Sequence, residues 1–331
     1  MIEVKNLVKR YGNRNVVDNL SFTVEKGQIV GFLGPNGAGK STTMNMITGY
    51  ISATDGSIKV NGYDIYDEPE KVKECIGYLP EQPPLYPDML VYEYLSFVCD
   101  LKKVKKTEKE KTLSKVMRLT KITDVSHRLI KHLSKGYKQR VGIAGAMIGD
   151  PDILILDEPT VGLDPKQILE IRALIRELSK SHTILLSSHI MQEVSAVCNQ
   201  ILIINEGRLV VSDRPDAISK HIEQTNDLTL KVKGNKDLIK SVLEKVPNVE
   251  KIKVLNTGEE GIYQAELSSL VEFDVREDVF FALADVKCPI LEMNSKEPTL
   301  EEAFIRLTGE GTRQFGGKKE GKEEKQDVSD L

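Results

Sequence analysis

The sequence predicts an α/β protein in which helices cover a mostly parallel sheet and a smaller α+β module follows. Between residues 136 and 205, apolar strand patterns alternate with helical patterns, an order that is typical of parallel sheets. After about residue 222 the order becomes strand, helix, strand, strand, helix, strand, which indicates a split βαβ module. A chain of 331 residues has room for both, at roughly 100–200 residues per domain.

The first third of the chain combines strands with a loop that leads into a helix. Residues 2–8, 19–24 and 28–33 have strand patterns, and the third strand runs through a glycine-rich loop into a helix over residues 39–49. Residues 69–132 are polar and have a helical pattern, with "KKVKKTEKEK" as a solvated charged face. This part of the sequence therefore predicts a helical region after the first strands.

The alternation that indicates a parallel sheet follows. The strand "ILILD", a helix over 165–180, the strand "TILLSS", a helix over 190–198 and the strand "QILIIN" come in that order. "NEGRLVVSD" then turns at Glu206 and Gly207, which predicts a hairpin strand at the end of the sheet.

Composition disfavours several classes of partner. The 46 Lys and Arg residues against 50 Asp and Glu give a net charge of −4, so the chain has no basic excess for nucleic acid. No apolar run reaches the ~20 residues of a transmembrane helix, and the N-terminus lacks the apolar core of a signal peptide. Four cysteines without C-x-x-C spacing fit a reducing compartment. We therefore expect a soluble cytoplasmic chain that does not bind nucleic acid.

A glycine-rich loop predicts a nucleotide site. "GPNGAGKST" matches G-x-x-x-x-G-K-[ST] between an apolar strand and a helix, so that backbone N–H groups and the helix N-terminus favour phosphate oxygens. Lys40 is expected to reach the β- and γ-phosphates, and Ser41 to ligate Mg²⁺. The predicted nucleotide-binding residues of this loop are Gly34, Pro35, Asn36, Gly37, Ala38, Gly39, Lys40, Ser41 and Thr42.

Acidic residues at a strand end predict the metal-binding and catalytic groups. Asp157 and Glu158 end the apolar strand in "ILILDEPT". Asp157 is expected to hold Mg²⁺, and Glu158 to orient and deprotonate the attacking water. His189 follows the next strand, at the sheet edge where open α/β folds bind ligands, so we expect it to contact the γ-phosphate.

These motifs, in this order, resemble the ATP-binding cassette ATPases, the nucleotide-binding subunits of ABC transporters, over residues 1 to about 220. The resemblance implies a P-loop NTPase fold of the ABC-cassette type, with an antiparallel β portion and a helical insertion at about residues 85–150. It implies ATP and Mg²⁺ as cofactors, with Tyr11 stacking on adenine. It also implies that Asp164, in "VGLD", contacts the opposing subunit.

A second phosphate-binding device is implied by the same resemblance. "LSKGYKQRV" matches the family signature "LSGGQ", with Ser134 and Gly136 kept and with Lys135 and Tyr137 departing from it. The family resemblance implies two cassettes that face each other head to tail. Each ATP would then lie between the P-loop of one chain and the signature of the other.

One family position stays open in the sequence. The glutamine of the family's Q-loop, which touches Mg²⁺ or water, should fall in "GYLPEQPPLYPDM". Register aligns it with Glu81, whereas the glutamine is the next residue, Gln82, so both are candidates. Four prolines in this loop favour a stiff segment that contacts a partner.

The C-terminal part divides into a module and a tail. Residues 223–308 are expected to form the small α+β domain, closed by a helix that begins at Thr299 in "TLEEAFIRLTG". Residues 309–331 carry both charge signs and almost no apolar residues, which predicts disorder. The module resembles the extension of ATPases from bacterial exporters of drugs, polysaccharides or gliding-motility components.

The resemblance predicts an ATP-hydrolysing subunit that drives export through a separate polytopic membrane permease. A second copy of the chain, or a paralogous cassette, would complete the dimer. The subunit would be cytoplasmic and peripheral on the inner face of the plasma membrane, held there by the permease. The alternative is a soluble ABC ATPase that acts on ribosomes or DNA. Against it, ribosome-binding relatives usually carry two cassettes, and DNA-repair relatives carry a long coiled coil between P-loop and signature.

Overall fold

The computed structural model describes residues 1–218, 225–270, 273–296, 304–305 and 308, which contain three sheets. In chain order the strands are β1 (Ile2–Tyr11), β2 (Arg14–Val24), β3 (Ile29–Leu33), β4 (Asp55–Val60), β5 (Tyr63–Asp64), β6 (Ile76–Leu79), β7 (Ile153–Leu156), β8 (Thr183–Ser188), β9 (Gln200–Asn205), β10 (Arg208–Asp213), β11 (Thr225–Lys233), β12 (Val249–Asn256), β13 (Ile262–Leu270) and β14 (Ile290–Lys296). The helices are α1 (Lys40–Ile47), α2 (Pro69–Cys75), α3 (Val91–Leu101), α4 (Lys106–Leu119), α5 (Lys135–Met147), α6 (Pro165–Leu178), α7 (Met191–Ser195), α8 (Pro215–Ile218), α9 (Lys236–Leu243) and α10 (Arg276–Asp285). Within the described ranges, every helix is too short or too polar to span a bilayer.

The central sheet is parallel, as the alternating pattern predicts. Its order is β10-β9-β3-β8-β7-β6, and only β10 runs antiparallel to its neighbour. In β7, Ile153 and Ile155 belong to one core cluster and Leu154 and Leu156 to another. Because this strand is buried on both faces, its sequence is a continuous apolar run.

The antiparallel β portion is also present. A second sheet has the order β2-β1-β4-β5, and its core residues pack with one face of the central sheet. Phe22 of β2 contacts Phe32 of β3 with ring centroids 5.5 Å apart. The other face of the central sheet packs with α3, α4 and α5, the helical insertion. The central sheet is therefore the middle layer, between the antiparallel sheet and the helices.

The prediction for residues 69–132 is correct for most of the segment and wrong for one strand. Helices α2, α3 and α4 lie there, and Lys106 and Lys111 on α4 are exposed, as expected of a solvated face. However, Ile76–Leu79 forms β6, the edge strand of the central sheet. A four-residue strand that follows directly after α2 is too short to produce a periodic signal of its own.

The C-terminal module has the predicted order of elements, β11-α9-β12-β13-α10-β14. Its four strands form an antiparallel sheet of order β12-β13-β11-β14, with α9 and α10 contributing to a separate core. The predicted helix start at Thr299 and the tail, residues 309–331, lie outside the described residues. Phe304 is helical and buried in a cassette core cluster, and the carbonyl of Thr308 accepts a hydrogen bond from Asn205 at 3.0 Å. The end of the module therefore contacts the cassette.

Candidate active site

The loop between β3 and α1 approaches two neighbouring carbonyl groups very closely. A Cβ at Gly34 would lie 2.5 Å from the carbonyl oxygen of Ile204, and one at Gly39 would lie 2.7 Å from that of Val16. Gly39 also has a φ of +100°, which favours glycine. The packing of the loop therefore requires glycine at both positions, and the conformation favours it at Gly39 as well.

Lys40 is the first residue of α1, and its ammonium group is buried beside a carboxylate. Its side chain is 6% exposed, and Nζ donates a hydrogen bond to the carbonyl of Gly34 at 2.7 Å. Nζ also lies 3.4 Å from Oε1 of Glu158. A buried charge needs such partners because it has lost its water. The lysine is thus held in position by the loop and by the end of β7.

Glu158 links Lys40 to His189. Its Oε2 lies 2.9 Å from Nδ1 of His189, which is more exposed to solvent than the glutamate. The backbone of Glu158 has a φ of +48°, a conformation that costs a non-glycine residue about 1 kcal/mol or more. Its N–H donates to the hydroxyl of Ser187 at 2.8 Å, which helps to hold this conformation.

Asp157 is buried among hydroxyl groups. It accepts hydrogen bonds from Ser187 and Ser41. Burial raises the pKa of Asp157 above its ordinary value, and these two hydrogen bonds oppose that rise. A carboxylate oxygen beside the hydroxyl of Ser41 is a donor set that suits a hard cation such as Mg²⁺. The two acidic residues at the end of β7 therefore have different neighbours.

A cavity of 280 Å³ brings Lys40, Ser41, Glu158 and His189 together, and Asp157 is not part of its lining. It is lined by Val16, Asn36, Gly37, Gly39, Lys40, Ser41, Thr42, Glu81, Glu158, Val161 and His189. Of the two Q-loop candidates, Glu81 lines it. Within the described part of the chain, Tyr11, Ser134, Gly136 and Asp164 do not line this cavity. Tyr11 lies at the end of β1 and is 52% exposed.

The signature residues lie at the start of α5 and are held by contacts within their own chain. Ser134 is exposed, and its hydroxyl accepts a hydrogen bond from the N–H of Tyr137 at 3.4 Å. The ammonium of Lys135 lies over Gly162, 2.2 Å from where a Cβ would be. The hydroxyl of Tyr137 donates to Asp124 at 2.9 Å. Both departures from the family signature therefore anchor this loop.

Asp164 and Gly136 meet at one side chain. Asp164 is exposed and caps α6 by accepting from the N–H of Gln167 at 2.9 Å. A Cβ at Gly136 would lie 2.7 Å from Cδ of the same glutamine. The signature residues and Asp164 therefore lie beside the same glutamine, outside the cavity that Val161 of the "VGLD" loop helps to line.

Comparison with known proteins decides the family. The family described as "ABC transporter" is matched over residues 17–161. The linearmycin resistance ATP-binding protein LnrL of Bacillus subtilis is 31% identical over 95% of this chain and 100% of its own length. The bacitracin transport ATP-binding protein BcrA of Bacillus licheniformis is 32% identical over 94% of this chain and 98% of its own length. This chain belongs to the ATP-binding proteins of ABC transporters.

Solved structures agree with that assignment. A structure described as the ATP binding subunit of an ABC transporter shares 34% identity, covers 67% of this chain and 92% of its own, and has a TM-score of 0.61. The predicted ABC-cassette fold is therefore confirmed, and this ABC protein is an ATPase that uses ATP.

Four residues near the site of this ABC ATPase were not predicted from its sequence. Ser187 hydrogen-bonds to both acidic residues that follow β7. Thr160 and Ser188 both donate hydrogen bonds to Glu193, which is buried. The polar ending of "TILLSS" after an apolar strand was the available signal for Ser187 and Ser188. Nothing in the spacing pointed to Thr160 or Glu193.

Proposed function

We propose that this ATPase subunit works in pairs and drives export through a separate membrane permease. The observation that carries the proposal is the position of Glu158, which contacts both Lys40 and His189 beside the phosphate-binding loop. A carboxylate in that position can accept a proton from water that attacks a γ-phosphate. The same cavity is open to the loop that binds the phosphates.

The groups that line the cavity have separate roles. Lys40 and the N–H groups of the loop bind the β- and γ-phosphates. Glu158 orients the attacking water and takes its proton, while His189 holds the glutamate and contacts the γ-phosphate. Because the lysine contacts Oε1 of the glutamate and the histidine contacts Oε2, together they restrict the orientation of its side chain.

Mg²⁺ fits the hydroxyl and carboxylate oxygens near the loop. Ser41 and Asp157 would hold it, with Glu81 as the nearer of the two Q-loop candidates and Gln82 as the other. When bound, Mg²⁺ neutralises charge on the phosphates. The hydroxyl of Ser187 donates to the carboxylate of Asp157 and accepts from the N–H of Glu158. It therefore holds the side chain of Asp157 and only the backbone of Glu158, which leaves the carboxylate of Glu158 to Lys40 and His189.

The exposed residues complete the nucleotide site from two directions. Tyr11 stacks on adenine at the edge of its own cassette. Ser134 and Asp164 are exposed and Gly136 is buried, and none of the three lines the cavity of its own chain, which supports their contact with the ATP of an opposing subunit. The opposing subunit is a second copy of this chain or a paralogous cassette.

The permease docks in a groove beside the helical insertion. A 640 Å³ groove separates the end of α1 and β6 from α3, and aromatic and aliphatic side chains line it. Tyr50 is 80% exposed and Leu101 is 63% exposed in this groove. Exposed apolar surface of this kind is typical of a protein interface. A cytoplasmic segment of the permease is the occupant that fits an ABC protein.

The names of the relatives favour export. One relative is named for linearmycin resistance and another for bacitracin transport. A transporter subunit named for resistance fits removal of the compound from the cell, so these names support outward transport of a related class of cargo. The permease then places the subunit on the inner face of the plasma membrane. None of these names supports the alternative role on ribosomes or DNA.

Affinity capture from detergent-solubilised membranes tests the docking groove. The tagged native chain should retain a polytopic membrane protein, and Leu101→Glu should lose it because a charge in an apolar interface is costly. Leu169→Glu on α6 is the matched control, since Leu169 is also 63% exposed. Equal capture by both variants, or capture of ribosomes by the native chain, would contradict the proposal.

A further inference from the structure

We propose that Glu193 is a positioning residue for hydrolysis, which ties the loop after β7 to the loop after β8. This inference rests on the roles proposed for Glu158 and His189. Glu193 lies on α7 and is 7% exposed. It lines neither the nucleotide cavity nor the groove among the described residues. It therefore acts through other residues and not on the substrate.

One carboxylate oxygen of Glu193 joins the two loops. Oε2 accepts a hydrogen bond from the hydroxyl of Thr160 and another, at 3.1 Å, from the hydroxyl of Ser188. Thr160 is two residues after Glu158, and Ser188 immediately precedes His189. Glu158 and His189 are thus linked through Glu193 as well as by their direct contact.

Each loop carries this restraint further along the chain. The hydroxyl of Ser188 accepts from the N–H of Ile190 at 3.0 Å, which fixes the turn that contains His189. The carbonyl of Thr160 accepts from the N–H of Leu163 at 3.2 Å, next to Asp164. Glu193 therefore restrains the catalytic histidine and the loop that faces the opposing subunit at the same time.

The chemistry at this position supports positioning over simple packing. An apolar side chain would fill a buried space without the cost of removing a carboxylate from water. A carboxylate oxygen, however, can accept two hydroxyl hydrogen bonds at once. Both donors to Glu193 lie within two residues of a proposed catalytic group, Thr160 after Glu158 and Ser188 before His189. The buried charge is therefore placed where two catalytic loops have to stay aligned.

Thr160 provides a sharp test because its hydroxyl can be removed at nearly constant volume. Thr160→Val should lower kcat by roughly 10- to 100-fold with KM within about twofold, because a misplacement of about 1 Å costs on the order of 10²-fold in rate. Thr160→Ser keeps the hydroxyl and should retain most of the native kcat. Loss in the valine variant and rescue in the serine variant together would support the proposal.

Thr120→Val is the matched control. Thr120 is also fully buried, and its hydroxyl donates within its own helix end, to the carbonyl of Val116 at 2.8 Å. This variant should lower the melting temperature by an amount similar to Thr160→Val and leave kcat unchanged. A purely structural role for Thr160 predicts the same behaviour for both valine variants, and that result would overturn the proposal.

Two further measurements keep the outcome interpretable. Ser188→Ala removes the second donor to Glu193, so it should lower kcat without raising KM, even if Thr160→Val fails to fold. Native kcat in Ser188→Ala would overturn the proposal. Glu158→Gln is assayed beside these variants. If Glu158→Gln also hydrolyses ATP at the native rate, the role proposed for Glu158 fails. If Glu158→Gln loses hydrolysis while Thr160→Val and Ser188→Ala keep it, only the role proposed for Glu193 fails.

Discussion

The two phosphate-binding devices of this cassette differ most in their surroundings. The P-loop is complete within its own chain: Lys40 is buried, contacts Glu158, and shares a cavity with His189. The signature at the start of α5 has an exposed serine, Ser134. Ser134 and Gly136 of the signature do not line the cavity of those catalytic groups, and they lie beside the exposed Asp164 instead.

This difference indicates which nucleotide each device serves. A helix N-terminus that presents N–H groups and a hydroxyl can bind phosphate. We propose that the P-loop does so for the nucleotide of its own chain, because the groups proposed for hydrolysis surround it. The signature residues lie outside that cavity, so in the proposed pair they would bind the phosphate of the opposing subunit's ATP. Closure of the proposed pair would then depend on intact ATP, since only a difference in affinity between ATP and ADP can shift the equilibrium.

The largest expected effect is on turnover. Glu158→Gln should lower kcat by roughly 10²–10⁴-fold, the scale of a general base, because an amide cannot take the proton of the attacking water. ATP affinity should be kept, since the Gln side chain retains the shape of the glutamate and leaves Lys40 in the loop. Steady-state hydrolysis beside Glu177→Gln, an exposed glutamate on α6, measures this. Native turnover in Glu158→Gln would remove Glu158 from the mechanism.

A smaller effect is expected on binding. Lys40→Ala removes a charge-assisted contact with phosphate and should weaken ATP affinity by roughly 10- to 100-fold, because a hydrogen bond to a charged group contributes about 1.5–3 kcal/mol. Fluorescent-nucleotide titration gives the affinity. Lys59→Ala, an exposed lysine on β4, should bind ATP like the native chain. If Lys40→Ala binds equally well, Lys40 does not hold the phosphates.

The sequence predicts features that depend on local spacing and misses contacts between residues that are far apart in the chain. The P-loop, Asp157 and Glu158 could be predicted because local spacing places them next to an apolar strand. The bond between Thr160 and Glu193 joins residues 33 positions apart. It depends on the register of β7 and β8, in which Leu156 lies opposite Leu186, and one sequence does not reveal that register.

Two finer details also required the structure. Spacing left Glu81 and Gln82 as equal candidates, because the direction of a side chain in a proline-rich loop depends on the backbone. The structure places Glu81 in the lining of the cavity. The strand β6 was missed because only four residues pair with β7. In both cases the outcome depends on contacts with distant parts of the chain, which the local sequence pattern does not reveal.

The smallest expected effect concerns the charged tail. Removal of residues 310–331 should leave the melting temperature unchanged and basal hydrolysis within about 10% of the native rate, because this segment has almost no apolar surface to bury. Thermal unfolding and ATPase assays of the truncated chain measure this. A fall of several degrees in melting temperature would show that the tail packs on the folded part.

Mixed dimers test the central claim most directly. Lys40→Ala chains and Ser134→Arg chains, both carrying Glu158→Gln to keep ATP uncleaved, are passed with ATP over a sizing column, separately and together. If the signature serves the opposing subunit, each mixed dimer has one site with both defects and one with neither, whereas either variant alone has a defect in every site. Mixing should therefore restore part of the ATP-dependent dimer. If the signature serves its own chain, no mixed dimer has an intact site, and a mixture that gives no more dimer than the separate variants would contradict the account.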